Sequence, residues 1–524
     1  AAAGAGRLEV VVFPWLAFGH MIPFLELSKR LAARGHAVAF VSTPRNLARL
    51  PPMPAHLSAR IRFVALPLPA VEGLPEGAEA TSDLPPDKVE LLKKAMDGLA
   101  GPLASFLADA VAAGRRPDWV ILDFCHHWVP PVADQHKVPR CTPSPPPTHG
   151  ERRVPTHEAR GLHRATKVDP LPVHHRGTDL PIGGVSLLTD CRCSISSFSD
   201  RYAIWECDEH SSIFYCSGVV EIRAIGEDRL ICSRSLLHHE ARRMLADNFG
   251  ENASGRSDTD RLWDVFERCC LTIHRSCREL EPRMFTLLSD LLRKPAVPAG
   301  ILLPEAVEDR DQDHRQSSSG GVLRWLDDQP PKSVLYVALG SEAPLTLENI
   351  HELALGLELA GVHFLWALRK PAGTNNNQEL LPAGFEERTR ARGVVCTGWV
   401  PQVKVLAHGA TAAFLTHCGW GSTIESFAFG LPLVMLPFLT DTPMIARAMA
   451  KRRVGVEVAR DDSDGSFDRD GVAVAVRHVM VEDEGLVFAT NAKKLKELVV
   501  DEARQEQYIH VLEEHLRRYK DDRG

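Results

Sequence analysis

The sequence predicts an α/β chain built from doubly wound parallel sheets, and three observations carry that reading. Short apolar runs bounded by Gly and Pro recur along the chain, the pattern of strands buried on both faces. Amphipathic stretches of helical length fall between them, and such alternation marks a parallel sheet. A charged, Ser/Gly-rich stretch at residues 305–321 divides two such series and reads as a linker. At 524 residues the chain is long enough for two domains with separate cores.

In the first series, residues 8–13 predict a buried strand and Pro14-Trp-Leu-Ala-Phe-Gly-His20 the turn after it. A helix is expected from about 22 to 33, with Leu25, Leu27 and Leu31 apolar and Gly35 as its stop. Residues 36–42, 61–66 and 119–122 read as strands, and 87–99 and 102–113 as helices. Residues 271–273 and 297–303 read as closing strands. His20 and Asp123 follow the first and fourth strands, on the rim where open α/β sheets bind ligands. A carboxylate beside a His fixes its tautomer and stabilises the imidazolium, which makes a general base near neutral pH. A structural strand-end His is the plainer alternative on these residues alone.

Between residues 140 and 234 the text changes character. Six of the twelve cysteines fall there, with scattered Pro, His and Arg and no sustained period; only 211–222 has strand character. One reading is a divergent substrate loop. The favoured one, from the abruptness of both edges, is translation out of frame or through an unspliced stretch.

In the second series, residues 333–339, 364–368, 394–396, 412–416, 433–436 and 455–458 read as strands. Residues 347–359, 423–429, 444–451, 471–481, 492–500 and 506–519 read as helices, with an acidic Gly/Ser turn at 461–468. Gly340-Ser341 is a small turn where a backbone can approach phosphate, or simply a turn. Net charge is −7, so no nucleic-acid footprint is expected. No run of 18 apolar residues predicts a membrane span. The start, Ala1 to Arg7, lacks the charged-then-apolar order of a signal peptide; it also lacks Met, which predicts a fragment or processed product. The cysteines show no zinc-like pairing of pairs, so reduced thiols, a cytoplasmic location and no metal are expected. A Gly-x-Gly-x-x-Gly after either first strand is missing, which argues against a dinucleotide oxidoreductase.

The densest stretch is the 44 residues from Trp399 to Thr442. It runs Trp399-Val-Pro-Gln402, His417-Cys-Gly-Trp420-Gly-Ser422, Glu425, Gly430-Leu-Pro432, Asp441-Thr442. This segment resembles the plant secondary-product glycosyltransferase signature, which binds a UDP-sugar. It departs twice: the signature has Asn where Gly421 stands, and Gln or His where Thr442 stands. The resemblance extends over about 1–138 and 235–524 and implies two facing Rossmann-like domains of the GT-B type with a cleft between them. Those would be an acceptor-binding domain at 1–304, the linker at 305–321 and a UDP-sugar domain at 322–500. A last helix, 501–524, would return to the first domain.

Residue by residue, the resemblance implies that Trp399 stacks on uracil and Gln402 lies near base and ribose. Glu425 takes the ribose hydroxyls, while His417, Ser422 and Ser341 hold the diphosphate. Trp420 and Asp441 contact the sugar, with Gly421 and Thr442 beside them. His20 is the base, oriented by Asp123, and His126 and His127 are wall residues near the acceptor. An aromatic face suits a base, a carboxylate suits a diol, and donors at a helix start suit phosphate. Pro14 to His20, Val71-Glu-Gly-Leu-Pro-Glu-Gly-Ala-Glu79 and His126-His-Trp128 resemble the branch that extends sugars on flavonoids or terpenoids. The implied reaction is an inverting, metal-free transfer by a cytoplasmic monomer that takes a UDP-sugar donor and a small-molecule acceptor. The rival is a catalytically impaired relative that binds UDP-sugars or glycosides, suggested by Gly421, Thr442 and the 140–234 interval.

Overall fold

The computed structural model describes residues 6–136, 252–304, 318–340, 343–370, 380–398, 400–438 and 441–521, with short strands and single positions between 194 and 250. Ser341, Trp399 and most of the 140–234 interval lie outside the described residues. Within that interval, two antiparallel hairpins pair Ser194–Ser199 with Tyr202–Glu206 and His210–Cys216 with Val219–Ile225. The first hairpin has no counterpart in the periodicity of the sequence.

The first unit runs β1 (Glu9–Phe13), α1 (Phe18–Ala33), β2 (Ala37–Ser42), β3 (Ile61–Ala65), α2 (Val89–Asp97), α3 (Ala100–Ala112) and β4 (Trp119–Leu122). Its sheet is parallel in the order β3-β2-β1-β4, with Val10 opposite both Val38 and Trp119. Helix α1 starts four residues earlier than the sequence suggests, so His20 stands in its first turn rather than before it. Pro23 does not interrupt the helix, because a proline this near the start forgoes a single backbone bond, to the Gly19 carbonyl. Later come α4 (Asp258–Arg268), β5 (Thr272–His274) and β6 (Ala296–Pro298). Among the described residues β5 and β6 pair in parallel only with each other.

The second unit runs β7 (Val334–Ala338), α5 (Leu347–Ala360), β8 (His363–Ala367), β9 (Gly393–Cys396), α6 (Gln402–Ala407), β10 (Thr411–Thr416), α7 (Trp420–Ala428), β11 (Leu433–Met435), α8 (Thr442–Lys451), β12 (Gly455–Glu457), α9 (Arg469–Met480), α10 (Gly485–Val499) and α11 (Glu502–Asp521). Its six strands are parallel in the order β9-β8-β7-β10-β11-β12. Every residue of β7 is buried, as expected for a strand covered by helices on both faces. Caps follow sequence: the Thr346 hydroxyl accepts the Asn349 N–H at 3.1 Å, and Asp468 accepts the Gly471 N–H at 2.7 Å. The acidic turn at 461–468 therefore ends as the start of α9.

Helix α11 buries Ile509, Leu512 and Leu516 in the same core as Leu8, Leu25, Val38 and Trp119 of the first unit. The Trp119 indole N–H donates to the Leu516 carbonyl at 3.0 Å. His36 accepts the Leu8 N–H on Nδ1 at 3.2 Å, so its proton sits on Nε2, 3.1 Å from the Glu513 carboxylate. Among the described residues no helix is long and apolar enough to cross a membrane.

Candidate active site

Both sheets reverse strand order beside their first strand, between β1 and β4 and between β7 and β10. Chains leaving such neighbouring strands in opposite directions open a crevice at the carboxyl ends, where ligands bind. His20 and Asp123 follow β1 and β4, and Gly340 and His417 follow β7 and β10.

His20 Nδ1 lies 2.8 Å from Asp123 Oδ2. The same oxygen accepts the Trp15 N–H at 3.0 Å, and Oδ1 accepts the Phe124 N–H at 2.8 Å. Burial acts to raise the Asp123 pKa, but the charge and hydrogen bond of His20 and the Trp15 N–H bring it down to about 2. Asp123 is therefore ionised at neutral pH, the His20 proton sits on Nδ1, and Nε2 carries the lone pair. The imidazole is about one-third exposed, while the carboxylate beneath it is nearly covered.

His126 is not exposed to this crevice, and His127 is partly buried beside Arg261. His126 is fully buried, with its ring 4.4 Å from that of Phe13 and Nδ1 at 3.1 Å from the Asp123 carbonyl oxygen. Burial pulls its pKa down to about 4 against the opposing charge of Asp123, so it stays neutral. His127 accepts from Arg261 Nη1 at 3.2 Å and is lowered by burial and by that cation. Arg261, fully buried, makes two bonds to Asp97, at 2.7 and 2.6 Å. Lys93 pairs with Asp258 at 2.6 and 2.7 Å. Together they pin α4 against α2. Adjacent histidines in a sequence carry no sign of which faces the core, so only packing separates these two from His20.

Across the second rim, the His417 ring is wedged between glycines. A Cβ on Gly340, whose φ is +77°, would lie 2.7 Å from His417 Cε1. One on Gly419 would lie 2.6 Å from Nε2. Cys418 between them takes φ 66°, a left-handed turn that non-glycine residues adopt at a cost of about 1–3 kcal/mol. That turn starts α7 immediately, and the helix start offers unpaired N–H groups to an anion.

Gln402 at the start of α6 donates from Nε2 to Glu425 at 2.9 Å and to the Ser422 hydroxyl at 3.3 Å. Ser422 and Glu425 are three residues apart on α7 and so share a face. Burial raises the Glu425 pKa, opposed by the Gln402 bond and by Arg275. The Trp420 indole N–H donates to the Arg275 carbonyl at 2.7 Å, and Gly421 faces the Arg275 guanidinium. Asp441 and Thr442 are buried at the start of α8, where the Thr442 hydroxyl accepts the Phe438 N–H at 3.2 Å. The structure thus gathers Gln402, Ser422 and Glu425, and sets His417, Trp420 and Gly421 around the start of α7. Arg275 escaped the sequence reading. It directly follows β5, so the rim rule that located His20 and Asp123 points to it as well.

Residues 7–140 match the family described as Glycosyltransferase, N-terminal domain, and residues 304–504 match UDP-glucoronosyl and UDP-glucosyl transferase. The chain is 36% identical to UDP-glycosyltransferase 91B1 of Arabidopsis thaliana over 96% of each chain. The chain belongs to the UDP-glycosyltransferase family. This glycosyltransferase is also 34% identical to soyasaponin III rhamnosyltransferase of Glycine max, over 98% of its own length and 96% of the relative's. Its fold resembles Phytolacca americana UGT2 complexed with UDP-2fluoro-glucose and pterostilbene, with TM-score 0.65, 20% identity, and 97% and 100% coverage. It resembles Arabidopsis thaliana UGT89C1 complexed with UDP-L-rhamnose to the same TM-score of 0.65, with 23% identity and 98% and 99% coverage. The GT-B fold follows from these structures, and the transfer of sugar from a UDP-sugar follows from the family.

Proposed function

We propose that this enzyme transfers a sugar with inversion from a UDP-sugar to a hydroxyl of a small plant metabolite, a flavonoid or terpenoid glycoside. The His20–Asp123 pair carries the reading. Nε2 of His20 takes the proton of the acceptor hydroxyl as its oxygen attacks the anomeric carbon. The new carbon–oxygen bond forms as the bond to UDP breaks, and the electron pair leaves on the β-phosphate oxygen. Asp123, ionised and fixed by two backbone N–H groups, stabilises the imidazolium. In this reading Trp399 and Gln402 hold the base and ribose, and Glu425 accepts from the ribose hydroxyls. His417, Ser422 and Ser341 hold the diphosphate, and Trp420, Gly421, Asp441 and Thr442 border the sugar. The first unit through residue 304 would take the acceptor and residues 322–500 the donor. A glycoside acceptor is supported by the likeness to soyasaponin III rhamnosyltransferase. The enzyme is expected to act as a cytoplasmic monomer without a metal.

Incubation of the purified chain with UDP-glucose or UDP-rhamnose and a panel of flavonoid and triterpenoid glycosides tests this directly. Product in the native chain, lost in His20→Ala, is the expected outcome; equal turnover in His20→Ala defeats the mechanism. The second reading, a relative that binds donors and no longer turns them over, is favoured by the Thr442 hydroxyl being engaged with Phe438. It predicts UDP binding without product from any of these acceptors.

A further inference from the structure

We propose that Arg275 is a ligand of the donor diphosphate, reaching the start of α7 through the space that Gly421 leaves open. This deepens the UDP-sugar reading of the site and rests on it.

The guanidinium is held by backbone on two sides. Nε donates to the Ile301 carbonyl at 2.8 Å and Nη2 to the Leu302 carbonyl at 3.2 Å. The Arg275 carbonyl accepts the Trp420 indole N–H, which fixes the first residue of α7 to the same backbone. With Nε and Nη2 so fixed, Nη1 lies 3.3 Å from where a Cβ on Gly421 would stand. Any side chain at 421 would compete with it for that space. The guanidinium therefore lies beside the first turn of α7, the helix that also carries Ser422 and follows His417.

Burial works against the charge and lowers the Arg275 pKa to about 10, while Glu425 and Glu26 support it. The side chain is cationic at neutral pH, in a place where a cation is favourable only beside negative charge. A pre-oriented guanidinium is a strong donor to phosphate oxygens. As the bond to the anomeric carbon breaks, charge grows on the leaving diphosphate, and fixed donors there favour the transition state. The ligand is delivered by the loop after β5, whereas the other proposed diphosphate contacts come from the second unit.

Calorimetric titration of UDP and of uridine into the native chain, Arg275→Gln, Arg275→Lys, Gly421→Asn and the Arg275→Gln/Gly421→Asn pair tests the proposal. Arg275→Gln is expected to weaken UDP at least tenfold and leave uridine unchanged, with Arg275→Lys in between. Gly421→Asn reads the same contact from the opposite side and leaves the bonds to Ile301 and Leu302 in place. It is expected to weaken UDP alone, and to cost little more once Arg275 is already Gln. Equal losses for UDP and uridine, or UDP binding unchanged in Arg275→Gln, overturn the proposal while leaving the UDP site standing. A native chain that binds neither compound overturns the site reading and this proposal together.

Discussion

His20 Nδ1 and Asp123 Oδ2 stand 2.8 Å apart although 103 positions separate them in the chain. Adjacent parallel strands bring them together, since β1 and β4 pair from Val10–Trp119 to Phe13–Leu122. Asp123→Asn removes the ionised acceptor and lets the amide select the wrong His20 tautomer. His20→Ala removes the proposed base outright. Both should lower kcat by about 10²–10⁴-fold with the UDP-sugar KM changed little, measured by steady-state kinetics against a glycoside acceptor.

Buried neutral His126 gives stability an acid limb. Its folded-state pKa is about 4, against 6.5 in the open chain. Between those values the unfolded chain binds a proton that the folded chain refuses. The contribution of His126 is therefore full above pH 6.5 and is lost as pH drops towards 4, by about 3 kcal/mol. Asp123, at about 2 against 3.8, extends the loss below pH 3.8 in the same direction. Denaturant melts from pH 7.5 to 4.5 should show the decline, and His126→Phe should make it shallower, leaving the smaller share of buried His36 and partly buried His127.

The glycines around His417 are a steric requirement of its ring position, and in the proposed donor site that position holds the diphosphate. Gly419→Ala places a Cβ 2.6 Å from His417 Nε2, and Gly340→Ala places one 2.7 Å from Cε1. Either should displace the ring and weaken UDP binding by tenfold or more. The rest of the second core is untouched, so far-ultraviolet circular dichroism should match the native chain. Fluorescence titration with UDP checks the loss.

Asp97 neutralises a guanidinium that has no exposed surface, that of Arg261. Asp97→Ala should cost about 3–5 kcal/mol by leaving a buried cation without its bidentate partner. Replacing both, as Asp97→Leu with Arg261→Met, should cost less than the single change. Chemical denaturation of the three chains decides it.

Leu512 of α11 is completely buried in the core of the first unit. Leu512→Ala should destabilise by about 2–5 kcal/mol. Leu359, more than half exposed on α5, serves as the control: Leu359→Ala should change stability by less than about 0.5 kcal/mol. Thermal melts of both report the difference.

Much of the architecture was legible because parallel strands are short buried apolar runs, and β1, β2, β7, β10 and β11 announce themselves so. The contact between His20 and Asp123 was legible for a related reason. Strand ends can be read from where an apolar run stops, and ligands gather at those ends. The turn around His417 was legible through its glycines and its resemblance to a known signature.

Only local features can be read from the chain alone: which runs become strands, where they end, and which polar residues sit at the ends. Tertiary structure decided everything that depends on packing direction. It placed His20 inside α1, buried His126 behind the pair, turned the Thr442 hydroxyl to a backbone N–H, and aimed Arg275 at Gly421. Each of these depends on residues far apart in the chain sharing one small volume. The period of a helix or strand shows which residues share a face, not which distant atom that face will meet.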